Sequence, residues 1–296
     1  MPSSQPIFIL AQARTGSTLL RYVIDTHPEV CCPPELALGR LCHALAYTIG
    51  LTLGVDPRGA RDADQPAVHA AVRSQVDEIM RTCCAARKKA RWCDKSANNV
   101  EHLEILAGVF PDAQFICLHR QCLDVVHSLL ELFRFGFPGR YTQVVARSPD
   151  NLVDAMIDSW NGATRALLDF ESSHAAQCVR LRYEDFVAGP VTAAGRMFAF
   201  LRLPFSPRML DEVFASPHDP GPGDIKIQFT SSILQSRVGK GSTIPRSLIS
   251  DGRLAEMNAL HKALGYPQLA CEGVAAEHAL GAEARASGRI RRPRWG

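Results

Sequence analysis

A short apolar run followed by a loop and an amphipathic helix occupies the first 28 residues and most constrains the fold. Residues 6–10 are apolar throughout, which is typical of a strand buried on both faces of a parallel sheet. From Ser17 onward four apolar residues share one helical face, and Pro28 ends the pattern. A strand that enters a helix through a tight loop is the unit of α/β folds.

The same alternation of strands and helices continues to about residue 201. It predicts strands at 91–93, 115–118 and 178–182 and helices at 67–89, 101–110, 123–133, 151–170 and 191–201. We therefore expect an α/β fold, a single domain with a central parallel sheet flanked by helices. The domain is expected to span 1–281, with helical or loop segments at about 36–90 and 133–150, and 282–296 form a basic tail.

Composition argues against several classes of partner. The net charge of +3 is too small to favour nucleic acid or a membrane surface. No run approaches the roughly 18 apolar residues of a membrane-spanning helix, and the first residues lack a secretory signal pattern. The ten cysteines are then expected to be reduced thiols in a cytoplasmic protein. The sequence leaves the oligomeric state open.

Three potential ligands, Cys117, His119 and Cys122, have a loosely metal-like spacing. The first two fall at the end of a predicted strand and the third at the start of a helix, so they are expected to diverge. We therefore predict no metal site.

The loop from Ala11 to Thr18 is a predicted anion site. It has the length of the Walker A loop G-x-x-x-x-G-K-[ST], but Ala11 replaces the first glycine and Ser17 replaces the lysine. Free backbone N–H groups and the helix dipole at such a junction favour an anion. The missing lysine disfavours a magnesium-dependent P-loop phosphotransferase, which stays as an alternative, as does a plain strand-to-helix turn with an exposed Arg14.

Six blocks of sequence resemble the PAPS-dependent sulfotransferases, in particular the branch of tyrosylprotein sulfotransferases and many bacterial members. In the family's order they are A-R-T-G-S-T-L-L at 13–20, R-Y-V-I-D-T-H-P-E-V at 21–30, D-K-S at 94–96, F-P-D-A-Q-F-I-C-L-H-R at 110–120, D-V-V-H-S at 124–128 and L-R-Y-E-D-F at 181–186. The resemblance implies a P-loop-like nucleotide-binding core. It also implies 3′-phosphoadenosine 5′-phosphosulfate (PAPS) as sulfuryl donor, 3′-phosphoadenosine 5′-phosphate (PAP) as product, and no required metal.

Carried over position by position, the resemblance implies a set of donor-binding residues. The 5′-phosphosulfate would be cradled by Arg14, Thr15, Gly16, Ser17 and Thr18. The 3′-phosphate would be held by Arg120 and Ser128, whose guanidinium and hydroxyl are suitable donors. Tyr183 would lie near the nucleotide, and a glycine-containing loop with Arg237 and Lys240 would fold over it. A surface salt bridge for Arg120, a mid-helix position for Ser128 and a core position for Tyr183 are the structural alternatives.

The resemblance also implies two catalytic residues. Lys95 would stabilise the charge on the bridging oxygen. The steroid and phenol sulfotransferases place a histidine base two residues later, where this chain has Ala97, so the base is assigned to Glu35, as in the tyrosylprotein-like branch. An exposed lysine and a glutamate at a helix N-terminus are the alternatives.

Variable segments at 36–66, 133–150 and 216–235 are expected to form the acceptor pocket, with Phe133, Phe135, Phe137 and Tyr141 as candidate apolar lining. The expected acceptor is a hydroxyl of a small molecule, a lipid or a sugar. A non-catalytic nucleotide-binding protein on the same fold is the further alternative.

Overall fold

The computed structural model describes residues 5–55, 65–134 and 139–270. Five parallel strands form one sheet in the order β2-β3-β1-β4-β5, which confirms the predicted α/β fold. Their bounds are β1 Ile7–Ala11, β2 Val30–Cys31, β3 Arg91–Lys95, β4 Gln114–His119 and β5 Cys178–Arg182.

The α-helices of the described residues lie between and after these strands. Their bounds are α1 Ser17–Asp25, α2 Leu38–Thr52, α3 Gln65–Arg87, α4 Leu103–Val109, α5 Cys122–Phe133, α6 Thr142–Arg147, α7 Leu152–Ser173, α8 Tyr183–Ala188, α9 Pro190–Phe200, α10 Arg208–Glu212 and α11 Asp251–Leu264. No helix of the described ranges is both long enough and apolar enough to cross a membrane.

Strand β1 is buried along its whole length because helices cover both faces of the sheet. Ile7 and Ile9 belong to a core shared with α1, α8 and α9, whereas Phe8 and Leu10 belong to one shared with α2, α3, α4 and α7. On this second side the Phe8 ring stacks on Phe115 at 5.7 Å between centroids. Because successive side chains of a strand point to opposite faces of the sheet, β1 contributes to both apolar cores.

The strand order creates a switch point at β1. From β1 the chain moves to β2 and β3 on one side of the sheet, then crosses to β4 and β5 on the other. Ligand crevices of open α/β sheets lie at the carboxyl ends of strands at such a point. Lys95 ends β3, Arg120 follows β4 and Tyr183 follows β5, so separate blocks of the sequence converge at one edge.

Some elements differ from the sequence prediction. The helix expected from residue 101 begins at Leu103, because a 3-10 turn occupies Ala97–Glu101. The two-residue strand β2 and helices α2, α6, α8, α10 and α11 were not individually predicted. Phe135, Phe137 and the basic tail at 282–296 lie outside the described residues.

Candidate active site

A cavity of about 610 Å³ opens at the carboxyl edge of the sheet. Ten of the residues predicted from the sequence line it, and they come from five separate parts of the chain. They are Arg14, Gly16, Ser17, Thr18, Glu35, Arg120, Ser128, Tyr183, Arg237 and Lys240. Lys95 reaches the cavity wall through Glu35. Thr15 differs, because its hydroxyl donates backward to the Gln12 carbonyl at 2.7 Å.

The first turn of α1 offers backbone donors to the cavity. Gly16 is the N-cap residue, and its φ of 92° lies in the left-handed region that favours glycine. A Cβ at this position would lie 2.4 Å from the Tyr183 ring, so the two residues are packed as close as a glycine allows. The N–H groups of the first helical turn have no partner within the helix, and they are therefore available to an anion.

The two predicted anion sites are contiguous. The Arg14 side chain leaves the β1–α1 loop and donates from Nε to the Ser128 hydroxyl at 3.0 Å. Arg120 in turn donates to the Arg14 carbonyl at 3.0 Å. Asp224 pairs with the Arg14 guanidinium at 3.1 Å and offsets its charge. Arg14 therefore connects the loop predicted to hold the 5′ group with the residues predicted to hold the 3′-phosphate.

Arg120 is a buried cation rather than a surface salt-bridge residue, with 7% of its surface exposed. Its guanidinium lies over the Tyr183 ring at 4.4 Å from the centroid, and its Nε has no hydrogen-bond partner within the described ranges. Burial raises the pKa of Tyr183, which therefore stays a neutral phenol beneath the arginine. A buried cation with an unused donor is suited to an anionic ligand.

Asp124 holds the C-terminal loop against the cavity, a role that the sequence did not indicate. Its carboxylate is buried and accepts the N–H groups of Gly239 at 2.8 Å and Gly241 at 2.6 Å. Arg120 adds a bond to the Arg237 carbonyl at 2.6 Å. These bonds place the exposed side chains of Arg237 and Lys240 at the cavity mouth.

Lys95 and Glu35 form an ion pair at the carboxyl end of β3, close to Thr18 of the β1–α1 loop. The Lys95 ammonium donates to Glu35 Oε1 at 2.6 Å, and the lysine side chain is only 1% exposed, which excludes the alternative of a solvated lysine. Glu35 is more open, with 15% of its side chain exposed. It lies three residues before the first residue of α2, outside the helix.

A buried polar network positions this pair, and the sequence did not predict it. The Asp94 carboxylate accepts from the Ser96 hydroxyl at 2.9 Å and the Asn99 amide at 2.7 Å. Ser96 and Asn99 in turn accept the backbone N–H groups of Ala37 and Gly39. Burial raises the pKa of Asp94, although these hydrogen bonds oppose the shift. The chain immediately after Glu35 is therefore fixed to the end of β3.

The segments predicted to form the acceptor pocket contribute unequally. Residues 216–235 supply seven lining residues, from Gly223 to Leu234, and 133–150 supply Tyr141. The described part of 36–66 supplies none.

Of the three residues with metal-like spacing, His119 is engaged in a buried pair, because its Nε2 lies 2.6 Å from a Glu171 carboxylate oxygen.

Comparison with known proteins gives consistent matches. The sulfotransferase family model matches residues 6–207. A putative protein-tyrosine sulfotransferase of Caenorhabditis briggsae is 28% identical over 208 residues, covering 70% of this chain and 68% of that protein. A similarly named protein of Caenorhabditis elegans is 26% identical over 225 residues, covering 73% of this chain and 81% of that protein.

Solved structures agree on the fold. A sulfotransferase domain from the curacin biosynthetic pathway superposes with a TM-score of 0.65 at 22% identity, covering 91% of this chain and 99% of that domain. A mouse sulfotransferase complexed with PAP superposes with a TM-score of 0.52 at 13% identity, covering 88% and 89%. The family match spans more than half of the chain. The chain therefore belongs to the sulfotransferase family, whose members take the sulfuryl group from PAPS.

Proposed function

We propose that this protein transfers the sulfuryl group of PAPS to a hydroxyl of a small-molecule, lipid or sugar acceptor by in-line displacement, with Glu35 as the base. The observation that carries the proposal is the ion pair of Glu35 with a buried Lys95, at 2.6 Å, beside the β1–α1 loop. A carboxylate and an ammonium beside one anion cradle are the two charged groups that this reaction needs.

We assign the PAPS site to the basic residues and free backbone N–H groups at the carboxyl ends of the strands. Backbone N–H groups of Ser17 and Thr18, with Arg14, would receive the phosphosulfate. Arg120 and Ser128 would receive the 3′-phosphate, supported by the unused Nε of Arg120. PAPS would then replace Asp224 as the partner of Arg14, since both are anions competing for one guanidinium.

In the proposed reaction the acceptor hydroxyl gives its proton to Glu35 while its oxygen attacks the sulfur. The bond from sulfur to the bridging oxygen breaks, and PAP leaves with the negative charge that develops there. Lys95 stabilises this charge, so its ammonium exchanges the Glu35 carboxylate for the bridging oxygen. The Asp94 network limits the movement of Glu35 during this exchange.

The acceptor class is supported by the size of the cavity, about 610 Å³, whose acceptor side is built from 216–235 and Tyr141. Two relatives are named as protein-tyrosine sulfotransferases, which makes a peptide tyrosine the second candidate acceptor. We place the reaction in the cytosol, because the nine cysteines within the described ranges are free thiols.

Calorimetric titration with PAP and with 5′-AMP tests the donor site. PAP is expected to bind at least tenfold more tightly than 5′-AMP, and Arg120→Ala and Ser128→Ala are expected to reduce that ratio. Equal or absent affinity for the two nucleotides in the native protein would overturn the assignment.

Transfer of radiolabelled sulfate from PAPS to a panel of hydroxyl compounds and tyrosine peptides tests the acceptor. The expected result is labelling of a non-peptide hydroxyl. Labelling confined to tyrosine peptides would replace the proposed acceptor by the second candidate and leave the donor site unaffected.

A further inference from the structure

Three cysteines that the proposed reaction does not use lie in contact beside the catalytic segment. Cys31 Sγ is 3.2 Å from Cys84 Sγ and 4.0 Å from Cys83 Sγ. Cys31 belongs to β2, four residues before Glu35, whereas the other two belong to the last turns of α3. We call this group the thiol cluster.

The thiol cluster combines contact between thiols with access to solvent. Cys31 is fully buried and Cys84 is 8% exposed, but Cys83 is half-buried and brings the cluster to the surface. Arg87 donates to the Cys83 sulfur at 3.1 Å, which places a cation beside the group. The pKa of Cys84 is lowered, chiefly because the Cys31 thiol donates to its sulfur and further because of the Arg87 charge. A thiol of lowered pKa in contact with a second thiol is the arrangement found at peroxide-sensitive cysteines.

We propose that the thiol cluster is a redox modification site, at which a peroxide oxidises Cys31 and Cys84 to a disulfide that ties β2 to α3. The Cys84 thiolate attacks a peroxide oxygen, which gives a sulfenic acid and an alcohol or water. The Cys31 sulfur then attacks the Cys84 sulfur, and the hydroxyl leaves as water with the Cys31 proton. Two thiols and one peroxide thus yield one disulfide, one water and one alcohol, or two waters from hydrogen peroxide.

Formation of the Cys31–Cys84 disulfide changes the contacts of the loop that contains Asp219 and Gly221. The sulfur atoms must approach from 3.2 Å to about 2.05 Å, which draws the end of α3 toward β2. Arg87, three residues beyond Cys84, donates to the Asp219 carboxylate at 3.0 Å. The same loop continues to Gly221, where a Cβ would lie 2.3 Å from Pro34, the residue before Glu35. Oxidation is therefore expected to displace both the loop that contains Asp219 and Gly221 and the segment from Cys31 to Glu35.

Mass mapping of the native protein tests the proposal independently of its activity. The protein is treated with equimolar hydrogen peroxide, alkylated, and digested with trypsin without reduction. The expected product links the peptide 22–40 to the peptide 82–87, and fragmentation places the bond on Cys31 and Cys84. Oxidation spread over all cysteines, or only sulfinic and sulfonic acids without a link, would overturn the proposal.

Variants of neighbouring cysteines sharpen the test. Cys31→Ala and Cys84→Ala are each expected to abolish the link, since each removes one of its two sulfur atoms. Cys32→Ala is the matched control, because Cys32 lies in the same peptide but its thiol contacts Cys93 instead. A link that survives in Cys31→Ala or in Cys84→Ala would refute the assignment. Melting curves of the reduced variants verify folding, and the wild-type mapping stands even if a variant is unstable.

A second measurement, the rate of sulfuryl transfer, rests on the proposed function. Peroxide is expected to lower sulfuryl transfer several-fold, dithiothreitol to restore it, and Cys31→Ala to prevent the loss. A complete link without any change in turnover would refute the coupling to the active site, and that outcome is distinguishable from absent transfer in the reduced enzyme.

Discussion

Gly241→Ala is the sharpest structural test of the C-terminal loop. A Cβ at this buried residue would lie 2.3 Å from the Leu123 carbonyl carbon and 2.6 Å from the Asp124 nitrogen. Both atoms belong to the backbone at the start of α5, so neither can rotate away. Restoring an ordinary contact of about 3.4 Å or more requires the loop to lift by roughly 1 Å.

The lift removes the bonds that dock the loop. Asp124 accepts from Gly239 and Gly241 at 2.8 and 2.6 Å, and a 1 Å displacement takes both beyond hydrogen-bond range. Each charge-assisted bond contributes about 1.5–3 kcal/mol, and water recovers part of that in a loop this exposed. We therefore expect undocking to cost about 3 kcal/mol, which corresponds to an approximately 100-fold loss of PAP affinity if Arg237 and Lys240 must face the nucleotide.

Calorimetry with PAP and limited trypsin digestion measure the two consequences. Gly241→Ala is expected to bind PAP about 100-fold more weakly and to be cut faster after Arg237 and Lys240. Gly252→Ala is the control, because its Cβ would meet open space in α11. PAP affinity within twofold of the native value, together with unchanged cleavage, would refute the docking role of Asp124.

Three further changes probe the catalytic pair, the anion cradle and the core. Glu35→Gln is expected to lower turnover by about 10²–10⁴-fold with PAP affinity unchanged, whereas the exposed Glu29→Gln has no effect; equal turnover in initial-rate assays would remove Glu35 as base. Gly16→Ala is expected to cost at least about 1–2 kcal/mol in denaturant unfolding, since its backbone is left-handed and a ring blocks the Cβ, whereas Gly162→Ala, in open space within α7, is expected to be neutral or stabilising. Burial lowers the pKa of His261 to about 4, so the unfolded chain binds a proton more readily. Stability from this group is present above about pH 6.5 and declines by roughly 3 kcal/mol as the pH falls to 4; a stability difference from His261→Gln that does not vary with pH would contradict this.

The fold was predictable because its signal is local. The five residues of β1 are an uninterrupted apolar run, and α1 follows with a regular apolar face, so both elements could be identified without knowledge of their neighbours. Strand β2 has only two residues and no alternation to detect. Its place in the sheet is set by pairing with β3, which is a tertiary contact.

The site was predictable as a set of residues but not as a set of contacts. Lys95 and Arg120 could be singled out from the blocks that contain them, and the strand order brings those blocks together. That Arg14 would reach Ser128, 114 positions away in the sequence, depends on its left-handed backbone and on the position of α5. Side-chain direction at a loop is set by tertiary packing, which spacing does not encode.

The residues that sequence analysis missed have a common physical character. Asn99 and Asp124 accept backbone N–H groups of distant segments rather than binding a ligand, and Asp94 in turn accepts from the Asn99 side chain. Their importance follows from burial, because an unpaired backbone donor or a lone carboxylate in the interior is costly. Such partners become visible only once the fold has placed both segments. The proposed reactive groups could therefore be selected from motifs, whereas the groups that hold the surrounding backbone in place are identifiable only from the structure.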